Sequence, residues 1–94
     1  MDFFEKYMKE TLETIRTFKN GYISVKRIRI ASNIKSSDRS KINFIWRGLK
    51  SLAAINFLEL NGSKSHKIYK LKYPEVPIDI KKIVSQVTEE RKKR

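Results

Sequence analysis

From residue 37 to residue 56 the apolar side chains keep helical time. Ile42, Ile45, Trp46, Leu49, Leu52 and Ala53 share one face when projected at about 100° per residue. Directly opposite lie Ser40, Phe44, Arg47 and Ser51, with Asn43 and Lys50 on one flank and Lys41 on the other. Then the period changes abruptly. Residues 57–61 and 66–73 alternate as strands do, and the turn-forming stretch from Asn61 to Ser65 lies between them. A helix followed by a hairpin points to a mixed α+β fold.

The rest of the chain reads as cover for that unit. Phe4, Met8, Leu12 and Ile15 make an apolar stripe on a helix over 2–18, widened by Phe3, Tyr7 and Phe18. Asn20 and Gly21 suit the left-handed end of a helix. Tyr22, Ile23 and Ser24 read as extended, with Ser24 as an N-cap. A short second helix follows, predicted to turn Val25, Ile28, Ala31 and Ile34 inward and Lys26, Arg27 and Arg29 outward. Ser32 and Asn33 end it, and the segment from Lys35 to Asp38 offers caps for the third helix. After Pro74 and Pro77, a last helix over 79–92 carries Ile80, Ile83, Val84 and Val87 on its apolar side. The expectation is one α+β domain over 1–94, mostly helical. It divides into an N-terminal helix (1–20), a helix-turn-helix and hairpin (21–74) and an added C-terminal helix (75–94).

Charge separates the same three parts. Residues 21–74 carry 12 Lys and Arg against 2 acids, whereas residues 1–20 balance at 4 against 4 and residues 75–94 hold 6 against 4. A field of one sign on one segment attracts a polyanion. Catalysis has little to work with. The middle segment offers only Asp38, Glu59 and His66 as acids or bases, with no glycine-rich phosphate loop, so no enzyme is expected. The chain lacks cysteine and has one histidine, so neither a metal site nor a cofactor is expected. No apolar run reaches the roughly 20 residues that span a bilayer. The start of the chain does not read as a secretory signal. A soluble, cytoplasmic and nucleoid-associated protein is the expectation.

The stretch from Tyr22 to Tyr73 resembles a winged helix-turn-helix domain: a short strand, a helix capped by Ser24, a turn, the third helix, and a lysine-rich hairpin as the wing. It departs from the family pattern at Asn56, where a glycine usually leads into the wing, and at Gly48, inside the third helix. The two amphipathic ends are similar to those of small dimeric MarR- and PadR-like regulators and of short archaeal or viral DNA-binding proteins. That resemblance implies a transcriptional regulator that binds double-stranded DNA as a homodimer, with Phe3, Tyr7, Ile80, Ile83, Val84 and Val87 at the interface.

It also implies that the third helix enters a major groove. Arg47 and Asn43 would then read base edges, as Arg pairs with guanine and Asn with adenine, and Phe44 would meet a thymine methyl. Lys35, Ser36, Ser37, Arg39, Ser40, Lys41 and Lys50 would lie along the strand, mostly on phosphates. Lys64, Ser65, His66 and Lys67 would reach the backbone or an adjacent minor groove from the wing. Two other readings stay open: an RNA-binding or ribosome-associated winged helix, and a protein-binding one with Phe3, Tyr7 and Phe44 as anchors.

Overall fold

The expected helices and strands form, with ends that differ by no more than two residues, and local chemistry explains where each stops. The computed structural model describes residues 3–18, 21–61 and 67–92. Among these the chain makes four α-helices and a two-stranded antiparallel hairpin, a small and mostly helical α+β fold. Helix α1 spans Phe3–Thr17 and buries Phe4, Met8, Thr11, Leu12 and Ile15. Gly21 follows at φ +97°, a left-handed conformation that glycine adopts without penalty.

Helices α2 (Val25–Ala31) and α3 (Arg39–Ala54) are built alike at both ends. At the start of α2 the Arg27 amide donates to Ser24 Oγ at 3.1 Å. At the start of α3 the Lys41 amide donates to Asp38 Oδ1 at 3.2 Å. Each helix stops at an asparagine with positive φ, Asn33 at 57° and Asn56 at 64°. The backbone there closes in the paired bonds of a Schellman motif. After α2 the bonds run Asn33 to Ile30 (3.1 Å) and Ile34 to Arg29 (3.0 Å); after α3 they run Asn56 to Ala53 (3.1 Å) and Phe57 to Leu52 (3.0 Å). Asn56 thus does at the hairpin junction what a glycine would do.

Strand β1 (Leu58–Asn61) pairs with β2 (Ile68–Leu71) in the register Leu58 to Leu71 and Leu60 to Tyr69. The other edge of β2 is held by Ile23, which exchanges two backbone bonds with Tyr69 at 2.7 and 2.8 Å. Ile23, Leu58 and Tyr69 are buried there, so the stem of the hairpin is fixed into the core. Burial also pushes the Tyr69 phenol above its ordinary pKa of 10.0, since the phenolate would lose hydration.

Helix α4 (Ile80–Lys92) begins where the Lys82 amide donates to Asp79 Oδ1, 3.2 Å away. It lies against α1, which also packs on α2 and α3 and so forms the centre of the helical layer. The Arg91 guanidinium sits 3.8 Å from the Phe4 ring centroid, and Arg16 Nη2 donates to the Ile78 carbonyl at 2.9 Å. The start of α1 therefore meets the end of α4 and the reverse, so the pair is antiparallel.

Candidate nucleic-acid interface

Which face α3 shows to solvent is decided by α1. Gly48 is buried at their contact, and a Cβ placed on it would lie 3.6 Å from Met8 Cε. One turn earlier, Phe44 stacks on Tyr7 with ring centroids 4.6 Å apart and planes inclined by 22°. The side of α3 carrying Phe44 and Gly48 is thus covered, while Ile45, Leu49 and Leu52 point into the core. Arg39, Ser40, Asn43, Trp46, Arg47 and Lys50 remain exposed. Projected at 100° per residue, the centre of this open face sits about 75° away from the expected one, towards the hairpin.

Two expectations are decided by that rotation. Phe44, which could have met a groove or packed on the protein, is half-buried and stacked on Tyr7, on the flank of α3 that α1 covers. Trp46, expected inside, is 43% exposed. Around its ring lie two ammonium groups from different elements, Lys50 Nζ at 5.1 Å and Lys67 Nζ at 5.6 Å from the centroid. Lys67 immediately precedes β2, so the hairpin stem and α3 present one continuous cationic surface with an indole at its middle.

The other candidates fall around this surface. Lys35, Ser36 and Ser37 are exposed in the turn between α2 and α3, and Arg39 and Ser40 open α3 beside them. Lys41 is exposed too, but its ammonium leans on Asp38 at 3.8 Å. An exposed pair of that kind contributes about 1 kcal/mol at most, so phosphate competes for it easily. Lys64, Ser65 and His66 lie outside the described residues. Trp46 is the one member of the surface that sequence reasoning missed. The available signal was Gly48, which marks the neighbouring side of the helix, with Phe44, as the closely approached one.

The arginines of α2, expected to face outward, fold back on the protein. Arg27 stacks over Phe18 at 4.1 Å and Tyr22 at 5.4 Å and donates to the Tyr22 carbonyl. Arg29 Nη1 donates to the Ile34 carbonyl at 3.1 Å. Both are half-buried, and Lys26 is the outward cation of α2; Ala31, expected inside, is exposed.

The residues expected at a homodimer interface do not form one patch. Ile83 and Val87 are buried against the chain's own core, because α4 spends its apolar side on α1. Ile80 and Val84 pack partly against the same core, and Tyr7 is taken up by Phe44. Phe3, at 71% exposure, stands open at the opposite end of the antiparallel pair from Ile80. Among the described residues no helix is long and apolar enough to cross a membrane. No protein-family model, curated protein or solved structure matches this chain.

Proposed function

We propose that the protein is a winged-helix DNA-binding protein, acting in transcription regulation, that lays the open face of α3 in a major groove. The observation that carries the reading is the convergence of Lys50 and Lys67 on Trp46, which joins helix and hairpin stem into one basic surface. The succession of α1, the bridging Ile23, α2, α3 and hairpin supports it as well, being the element order of that family. Asn43 and Arg47 stand on the open face within reach of base edges, and Arg39, Ser40, Lys50 and Lys67 take phosphates on either side. All of these groups come from a single chain. The homodimer in this proposal is one built around Phe3, since the apolar side of α4 is already covered.

Titration of labelled duplexes at several salt concentrations tests the reading. The log-log salt dependence of affinity should steepen by about 0.9 for each neutralised phosphate. Replacing Arg47 with alanine should weaken binding to a selected site about 5- to 150-fold and leave random duplex within a fewfold, as expected for one lost bidentate base contact. A variant that keeps its full preference for the selected site would remove Arg47 from base reading.

A further inference from the structure

Resting on the nucleic-acid reading above, we infer that Trp46 is a stacking platform for an unpaired base, so that the preferred ligand is DNA with a single-stranded segment beside duplex. Three observations lead there. Trp46 is the only tryptophan of the chain, and it stays 43% exposed although the core beside it is closed by smaller apolar residues. Two ammonium groups lie over its ring, 5.1 and 5.6 Å from the centroid, drawn by the negative face of the indole. Both charges lie against one ring, so they repel, and an anion binding beside the ring relieves the repulsion.

Duplex DNA uses such a ring poorly. Its bases expose only their edges in the grooves, because their π-faces are spent on one another. An unpaired base has a free face. An aromatic ring among cations that track the backbone is the composition of single-strand sites, where stacking tolerates any base. On binding, the lysines leave the indole for phosphates and the ring takes the base. Asn43 and Arg47, along the same open face, can hold the adjoining duplex. Trp46 also lies on the hairpin side of α3, beside Lys67.

The single tryptophan supplies its own readout. Indole fluorescence and the anisotropy of labelled DNA are followed for a blunt duplex, the same duplex with a single-stranded overhang, and the overhang strand alone. The expected result is a 5- to 150-fold tighter complex with the overhang duplex than with the blunt one, with indole quenching specific to substrates carrying unpaired bases. Trp46→Ala should abolish that preference, and Trp46→Phe should retain part of it. Circular dichroism of both variants confirms that they fold, as a half-exposed side chain allows. Equal affinity for blunt and overhang duplexes, or quenching that Trp46 shows equally on blunt DNA, overturns the inference and leaves duplex binding standing. Binding to none of the three would instead sink the function proposed above.

Discussion

Gly48 occupies the interior of α3, where glycine costs about 0.8–1.0 kcal/mol relative to alanine because it loses more backbone freedom on folding. Replacing it with alanine recovers that amount, provided the new methyl has somewhere to go. The Cβ would meet Met8 Cε at 3.6 Å, an ordinary van der Waals separation from the free end of a flexible side chain. No shift of α1 is required, and burial of the methyl adds up to about 0.8 kcal/mol more. Gly48→Ala should therefore stabilise the protein by roughly 1 kcal/mol. In a domain of this size that raises Tm by about 4–8 °C. Urea unfolding followed by circular dichroism should show a higher midpoint at unchanged slope. Gly48→Val is the counterpart. Its two γ-methyls extend beyond a Cβ that already touches Met8 Cε, and overpacking costs about 1–3 kcal/mol. The result that refutes the reasoning is a lower midpoint for Gly48→Ala. Met8 would then press closer on α3 than 3.6 Å, and the crossing that covers Phe44 and turns Trp46 outward would need redrawing.

Two further outcomes follow from the caps and the buried phenol. Asn56→Ala keeps a β-carbon in left-handed backbone at φ 64° but loses the short polar side chain that eases this conformation for Asn, and should lower stability by up to about 1 kcal/mol, whereas Asn56→Gly should match or exceed the wild type in the same thermal melt. Above pH 10 the unfolded chain gives up the Tyr69 proton while the folded state still holds it. Folded protein then binds more protons than unfolded, so stability present below pH 10 declines as pH rises towards the raised native pKa. Tyr69→Phe should remove that part of the alkaline decline, read as the difference between the two proteins' stability profiles from pH 8 to 11. A profile unchanged by the substitution would mean the phenol is as well hydrated folded as unfolded.

What the sequence made legible was decided by short-range chemistry. Ser24 and Asp38 bond their own helices three residues on, and Asn33 and Asn56 take the left-handed turn within two residues of the helix they end. Such signals are complete in the local sequence, so the boundaries of α2 and α3 could be read from it. The stripe Phe4, Met8, Leu12 and Ile15 likewise needed only a period.

The orientation of α3 was a different kind of question, because two faces of it compete. Phe44 and Trp46 lie on opposite flanks of the Ile45, Leu49 and Leu52 core line, and hydrophobicity alone cannot say which aromatic is covered. The deciding contact is the one with α1. Met8 packs beside Gly48 on the Phe44 flank, Tyr7 lies over Phe44, and the open face turns towards the hairpin. A similar long-range fact settled α4. Its stripe at Ile83 and Val87 suits a partner's surface or the chain's own core equally, and α1, running antiparallel beside it, claimed it for the core. Both corrections point the same way. Apolar groups assigned to outside partners, Phe3 excepted, were absorbed by the protein itself. One assigned to the core, Trp46, was left exposed beside Lys50 and Lys67, and the proposed binding chemistry lies on that flank of α3.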